Sequence, residues 1–443
     1  MPDDLLVVIL CELGERMLAM REALAEPSVA TKPHARAVAA LLNQGLDALE
    51  ARLQRDVLAA EGGVSEATPA LLDTLYQCGQ ALRALHSRLG LLDMRWSAAS
   101  VDIFLRKLRD DVGASLPHPA VVLSDDYAAL DDDVADSLYA ALEAFGVTVA
   151  SASGMEPTVA LPRIESVDPL CWPLLLPALG RIYLTQYDES LREERLLTQR
   201  LRHTGAHSSA EDPTMCALVA VRMIGPAAFA ARAAQGLLFT PVDTSACTSG
   251  FWSVQHAAVN VAGGLGDNNQ SAGGFDDSGI VALLTRLLRT RDEALNRVES
   301  RGWAASTSDA ISQLPEPDVP TAQETAALLD KLVAGTPINA IDPPVPPDFL
   351  ARLEGVDTPD AFYALIGPLG ERSASLAAIL GVGWLYKVRY SYPLFGRLVE
   401  EHGDIGRALA AYRPHALERG DLLAQSIEAA HVQGIFVRGK AAE

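Results

Sequence analysis

Two histidines and two acidic residues lie close together in one polar stretch of the chain. His203 and His207 are four residues apart, a spacing that places two imidazoles on one face of a helix, and Glu211 and Asp212 follow. A displaced metal site built from His203, His207 and Glu211 would support an active metal-dependent peptidase or other hydrolase. Gly205 favours a polar loop instead, because glycine weakens a helix. We expect no metal here and keep the displaced site as an alternative.

Aspartates are clustered at two further places. Residues 125–126 and 131–133 offer the oxygen ligands that calcium or magnesium prefers, but the second group precedes a predicted helix and is better explained as its cap. Residues 267–271 and 276–277 are similar in composition to a calcium loop, but Ser278 stands where that loop needs a bidentate glutamate. We expect a helix start and a loop, not cation sites.

A serine or cysteine nucleophile is also not indicated. Ser245 and Cys247 lie near His256, yet the chain has no Gly-x-Ser-x-Gly turn. The glycines of residues 263–266 are not followed by the Gly-Lys-Ser/Thr of a phosphate loop. We therefore expect neither a hydrolase triad nor a bound nucleotide, and no cofactor.

One stretch of the chain resembles a known active-site region. Residues 161–181 read Leu-Pro-Arg-Ile-Glu-Ser-Val-Asp-Pro-Leu-Cys-Trp-Pro-Leu-Leu-Leu-Pro-Ala-Leu-Gly-Arg. This resembles the strand, turn and active-site helix of bacterial zincin metallopeptidase-like proteins of the gluzincin type, in which an apolar run leads into His-Glu-x-Gly-His. The five corresponding positions here are Pro177, Ala178, Leu179, Gly180 and Arg181, of which only the Leu-Gly pair matches.

The mismatched positions remove the chemistry of that family. Its two histidines bind zinc and its glutamate acts as general base on the metal-bound water. Pro177 offers no ligand, Ala178 cannot accept a proton, and Arg181 would place a permanent cation in the site. The resemblance therefore implies a zincin-like fold without its zinc.

A second part of the resemblance lies in residues 211–227. The end, Met-Ile-Gly-Pro-Ala, is similar to the Leu-Gly-Pro-Ala turn that ends the ligand-bearing helix in gluzincin-like proteins. Asp212 or Pro213 stands near the position of the third ligand, a glutamate in that family, and Cys216 or Ala217 near the following aspartate. Residues 422–431 are similar to the closing helix of such proteins.

The resemblance implies a catalytically inactive metallopeptidase-like protein that acts by protein–protein interaction, in a binding, regulatory or protease-target role in a bacterial system. The first alternative is the hydrolase with the displaced metal site. The second is a purely structural helical scaffold, which would have no pocket between the helices near Trp172 and Met223.

Composition narrows the possible partners and location. A formal net charge of −21 repels phosphate backbones and anionic lipid, so we expect no nucleic acid and no membrane as partner. The first residues lack a basic leader, and no apolar stretch reaches the roughly 18–20 residues that a membrane span needs. Five scattered cysteines without a Cys-x-x-Cys pair predict buried, reduced thiols in a cytoplasmic protein.

The sequence predicts a mainly α fold, a multi-helix protein with a small β-sheet beside a zincin-like central helix pair. Abundant Ala and Leu and apolar residues at helical spacing support this. We divide the chain into an N-terminal helical region (1–115), a zincin-like core (116–310), a proline-rich linker (311–347) and a C-terminal helical region (348–443). Short strands are predicted at residues 120–123, 147–150 and 158–161, and the central helices at about 169–187 and 214–234.

Overall fold

A computed structural model describes the chain's helices and one small sheet. The described residues are 5–26, 29, 33–58, 69–92, 98–112, 119–124, 158–187, 216, 219–220, 223–239, 287, 358–371 and 374–442. They are mainly helical, and the two strands they contain form a two-stranded parallel sheet. The predicted fold class, mainly α with a small sheet, is confirmed.

Among the described residues, four α-helices precede the sheet. They are α1 (Leu5–Ala25), α2 (Pro33–Leu53), α3 (Pro69–His86) and α4 (Ala99–Val112). Two of them begin at a proline, a residue favoured in the first turn because its missing N–H would have no partner there. Pro33 and Pro69 therefore stand where proline is best tolerated in a helix.

The sheet pairs two short strands in parallel. Strand β1 (Ala120–Ser124) pairs with β2 (Thr158–Pro162) in a register that runs from Ala120 opposite Thr158 to Ser124 opposite Pro162. Both strands were predicted from sequence. The third predicted strand, residues 147–150, lies outside the described residues.

The two predicted central helices are interrupted. The first, predicted at about residues 169–187, begins as a 3₁₀ segment, Pro169–Leu175, and continues as α5 (Leu176–Tyr187). A shorter 3₁₀ segment, Arg163–Ser166, precedes it. Prolines within this stretch remove the donors that a continuous α-helix needs. The second is broken at Gly225, whose φ of +64° is left-handed, and α6 (Pro226–Phe239) begins at the next residue. The Pro169–Leu175 segment packs against α6, so the two predicted segments are in contact.

The C-terminal part of the chain is helical, as predicted. It comprises α7 (Pro359–Glu371), α8 (Leu376–Tyr386), α9 (Tyr392–His402) and the 38-residue α10 (Ile405–Ala442). One π-helical turn, Lys387–Ser391, joins α8 to α9. Gly403, with a left-handed φ of +58°, ends α9.

Two helices form the centre of the hydrophobic core. Every residue of α8 is buried, and so are ten consecutive residues at the start of α1. Helix α1 contacts α9 and α10 as well as α2, α3 and α6, so helices from both ends of the chain share one core. The predicted division into four regions stays a prediction. Trp172 and Trp384 are 2% and 1% exposed, so both aromatic side chains lie in the core. Within the described part of the chain, no helix is both long and apolar enough to cross a bilayer.

Candidate functional site

Charged side chains from three distant parts of the chain meet inside this core, where an unpaired charge is strongly disfavoured. They come from α1, from the segment between β2 and α5, and from the C-terminal helices, and we call them the buried ion network. Its members are Glu12, Glu15, Arg16, Glu165, Asp168, Lys387 and Arg419. The most exposed member, Asp168, keeps 20% of its side-chain surface accessible.

Lys387 connects the π turn to α1. Its Nζ lies 2.6 Å from Oε1 of Glu12 and 2.8 Å from Oε2 of Glu15, two carboxylates on adjacent turns of one helix. The ring of Trp384 lies 5.1 Å from the same ammonium, within the range of a cation–π contact. The cation is therefore held by two carboxylates and an aromatic face.

Arg419 connects α10 to α1 and to the 3₁₀ segment. Its Nη1 and Nη2 donate to Oε1 and Oε2 of Glu15 at 2.9 and 3.0 Å. Nη2 also donates to Oδ2 of Asp168 at 2.8 Å. Two parallel bonds from one guanidinium to one carboxylate are among the stronger polar contacts in proteins and fix the relative orientation of both groups.

Arg16 completes the network on the side of β2. Its Nη1 donates to Oε2 of Glu12 at 2.8 Å, one turn back along α1, and its Nε donates to Oε1 of Glu165 at 2.7 Å. The Arg16 and Glu165 side chains are 5% and 1% exposed. All three cations of the network therefore have carboxylate partners.

Two tyrosine hydroxyls give the carboxylates of α1 additional donors. Tyr392 donates to Oε1 of Glu12, and Tyr412 donates to Oε1 of Glu15, each at 2.7 Å. Burial, followed by the charge of Glu12, raises the pKa of Tyr392 well above its ordinary value. Burial also raises the pKa of Tyr412. Both hydroxyls stay protonated and act as donors.

The π turn explains how several neighbouring residues reach one site. The N–H of Tyr392 donates to the carbonyl of Lys387, five residues back. Pro393 follows with no N–H to donate, and its ring would clash with the carbonyl four residues back in a regular helix. In the widened turn Lys387, Ser391 and Tyr392 all face the network, where the Ser391 hydroxyl accepts from Arg419 at 3.3 Å.

Burial and opposite charge together fix the ionisation of the network. Burial would raise the pKa of Glu15, but Arg419 and Lys387 outweigh it and hold that pKa well below the usual range. Burial would lower the pKa of Lys387, but Glu12 and Glu15 raise it above its ordinary value. Arg419 behaves in the same way beside Glu15 and Asp168. These three groups stay charged across the physiological pH range.

The two cysteines beside the network are unreactive by the same reasoning. Burial, followed by the charge of Glu15, raises the pKa of the Cys11 thiol well above its ordinary value. Burial and Glu165 do the same for Cys171. A thiol is nucleophilic only as thiolate, so neither side chain is poised to attack a substrate.

A small cleft opens from the network towards solvent. It has a volume of about 70 Å³ and lies between α1, the 3₁₀ segments and α10, and we call it the network cleft. Its walls are largely apolar, and its polar groups belong mainly to the network. It is lined by Glu15, Arg16, Leu18, Ala19, Ile164, Glu165, Val167, Asp168, Cys171, Ala416, Leu417, Arg419, Gly420 and Asp421.

The positions that correspond to the zincin motif, Pro177–Arg181, lie at the start of α5 and not in the buried ion network. Ala178 and Gly180 are buried, and Pro177 and Arg181 are half-buried. A Cβ added at Gly180 would lie 2.8 Å from the carbonyl oxygen of Cys216. The backbone approaches so closely there that the position requires glycine, the residue that the zincin motif also has at this point.

The alternative metal site cannot be placed. His203, His207, Glu211, Asp212 and Pro213 lie outside the described residues, as do the two aspartate clusters and the Ser245–Cys247–His256 group. Over the residues that the structure does describe, no cluster of three or more His, Cys, Asp or Glu side chains is arranged to hold a metal ion.

Sequence reasoning missed the network, although two members lie in the stretch that resembles zincins. Glu165 and Asp168 precede the motif positions and were given no role. The available signal was a charge inside an apolar run, as for Glu12 in α1 and for Lys387 after Trp384-Leu-Tyr. Such charges are buried only with partners, but the sequence does not say which partners.

Comparison with known protein families, with curated proteins and with solved structures finds no match to this chain. The resemblance to zincins therefore stays a prediction from the quoted motifs.

Proposed function

We propose that this chain acts by binding a protein partner, as a catalytically inactive metallopeptidase-like protein. The observation that carries the proposal is the far end of α10, where Val432, Ile435, Phe436 and Val437 are exposed. These are four of the seven large apolar side chains that are exposed among the described residues, and they lie within six consecutive positions. We call them the α10 apolar end.

Such a surface is typical of a helix that docks into a groove. Val432, Ile435 and Phe436 follow the i, i+3, i+4 spacing that places side chains on one helix face. Their exposed fractions of 41%, 51% and 61% would be removed from water by an apolar groove. Binding through this face supports an interaction role.

The ionisation of the buried network also supports binding over proton-transfer chemistry. A general acid or base works best when its pKa is near the working pH. Glu15 is moved down from its ordinary pKa, whereas Lys387, Tyr392 and Tyr412 are moved up. Each shift favours the charge state that the group already has at neutral pH, so these groups resist the proton transfer that catalysis requires.

Phe436→Asp tests the proposal, with Leu41→Asp as the matched control. Leu41 is 66% exposed on α2, as a single apolar side chain far along the sequence from α10. Full-length wild type and both variants are immobilised and exposed to lysate under matched conditions, and retained proteins are identified by mass spectrometry. We expect a protein retained by wild type and by Leu41→Asp but lost with Phe436→Asp.

Two results would contradict the proposal. One is equal retention by all three proteins at matched stability. The other is stoichiometric zinc in purified protein together with peptidase activity that His203→Ala abolishes, which would favour the active hydrolase.

A further inference from the structure

We propose that the network cleft binds the basic side chain of a peptide, with the ammonium or guanidinium group facing the carboxylates and the aliphatic stem against the cleft walls. The proposal concerns other residues than the α10 apolar end. Asp421 in the cleft and Phe436 are fifteen residues apart on one helix, which corresponds to about 22 Å.

The charge of the cleft favours a cation. Four carboxylates and two guanidinium groups line it, which leaves a formal charge of −2: Glu15, Glu165, Asp168 and Asp421 against Arg16 and Arg419. The whole chain carries a formal charge of −21, which attracts cations from a distance.

Both guanidinium groups in the cleft lining already have carboxylate partners. Arg16 is held by Glu12 and Glu165, and Arg419 is held by Glu15 and Asp168. An anion would bring a further negative charge close to the carboxylates that already hold these two guanidinium groups.

The rim supplies a carboxylate that an incoming cation can reach. Asp421 lies in the cleft lining and is exposed, whereas Glu15 and Glu165 lie deep in the network. A positive group in the cleft can reach Asp421 and the accessible part of Asp168, whose side chain is 20% exposed.

The size and walls of the cleft fit the end of one side chain. Its volume of about 70 Å³ is well below the roughly 300–1,000 Å³ of pockets that enclose a whole small molecule. Leu18, Ala19, Val167 and Leu417 provide apolar wall. Lysine and arginine side chains place their methylene stems along such surface and keep the charged head at a polar group.

The experiment uses capped single amino acids as probes of the full-length protein. N-acetyl-lysine methylamide and its arginine counterpart are titrated at constant ionic strength and observed by saturation-transfer NMR. N-acetyl-norleucine methylamide is the uncharged control, and N-acetyl-glutamate methylamide is the anionic control. We expect saturable binding of the two cationic probes only.

Substitutions at two exposed positions of the cleft lining test separately whether its charge and its open space are needed for binding. Asp421→Asn should weaken binding of the lysine probe about two- to fivefold, the size expected for one partly exposed ion pair. Val167→Trp should abolish binding by filling the mouth, since Val167 is 43% exposed at the cleft. Glu428→Gln, an exposed carboxylate on the same helix outside the cleft lining, is the matched control and should leave binding unchanged.

Several results would overturn the proposal. These are no binding of either cationic probe, equal or tighter binding of the norleucine or glutamate probe, or lysine binding that both cleft variants leave unchanged. Phe436→Asp should not alter probe binding, so failure here and failure of the α10 interaction are distinguishable.

Discussion

Lys387 is the residue on which the two carboxylates of α1 converge, and its removal should be strongly destabilising. Lys387→Met would leave Glu12 and Glu15 buried with fewer positive partners. Breaking a buried ion pair on one side destabilises proteins by about 3–5 kcal/mol. We expect a loss of this size in the free energy of unfolding, measured by urea denaturation at pH 7.

Lys107→Met is the matched control, because Lys107 is also buried, at 2% exposure. Lys107 pairs with one carboxylate, Asp111, which also accepts a hydrogen bond from the backbone N–H of Leu376 at 2.8 Å. We expect a smaller loss than for Lys387→Met. Equal losses would show that the second carboxylate partner of Lys387 adds nothing to the free energy of unfolding.

Glu15 should make the protein sensitive to acid. Its pKa is lowered in the folded state, so as the pH falls the unfolded chain binds the proton first. The contribution of ionised Glu15 to the free energy of unfolding is fully present above the ordinary glutamate pKa of roughly 4.3. As the pH falls below that value the contribution is lost, and the loss reaches about 2 kcal/mol at pH 3. We expect the unfolding free energy of Glu15→Gln to depend less on pH between 5 and 3 than that of wild type.

Glu428→Gln is the control for this titration, because Glu428 is exposed on α10. It should retain the pH dependence of wild type. A Glu15→Gln variant with an undiminished acid-induced loss would contradict the assignment of that loss to Glu15. If Glu15→Gln does not fold at pH 7, wild type itself must still lose stability below pH 5.

Single residues show the limit of what the sequence predicts here. Burial is the expected state of a large aromatic side chain from its type alone, and Trp172 and Trp384 are both buried. The pairing of Glu15 with Arg419 did not, because the two residues are separated by 404 positions and no local pattern encodes such a contact. The degenerate motif drew attention to Pro177–Arg181, whereas the polar contacts lie a few residues earlier, at Glu165 and Asp168.

At the scale of elements, the approach of α5 to the helical segment at Cys216 depends on Gly180. A methyl group there would lie 2.8 Å from a backbone carbonyl oxygen, which cannot move aside as a side chain can. We expect Gly180→Ala to lower the melting temperature, with a loss of about 1–3 kcal/mol typical of overpacking.

Gly420→Ala in α10 is the matched substitution. A Cβ at Gly420 would make an ordinary contact, 3.6 Å from the carbonyl oxygen of Val167, and alanine favours a helix over glycine. We expect it to be neutral or stabilising in the same thermal unfolding experiment. Equal destabilisation by both variants would show that the close approach at Gly180 has no particular role.

The elements themselves followed well from local signals. Pro33 and Pro69 marked helix starts, and short β-branched runs marked β1 and β2. The 3₁₀ form of Pro169–Leu175 and the π turn at Lys387–Ser391 were not predicted. Both depend on how proline changes the backbone hydrogen bonds of a helix. The spacing of apolar residues along the sequence does not indicate such changes.

For the whole molecule, the shared core predicts that the C-terminal helices cannot fold alone. A fragment of residues 348–443 contains Lys387 and Arg419 but lacks Glu12 and Glu15. We expect this fragment to show no cooperative thermal transition by circular dichroism, in contrast to the full chain. A cooperative transition of the isolated fragment would support the predicted C-terminal region as an independent domain.

The position of α1 has a consequence for synthesis on the ribosome. Its apolar run from Leu5 to Leu10 is made about 400 residues before Lys387 and Arg419, which hold its carboxylates. At about 5–20 residues per second this leaves the carboxylates of α1 without these two cations for roughly 20–80 seconds. During that interval the side of α1 that packs against the C-terminal helices is an exposed hydrophobic surface on the nascent chain. Production of this protein should therefore depend on chaperones that bind such surfaces until the C-terminal helices have been made.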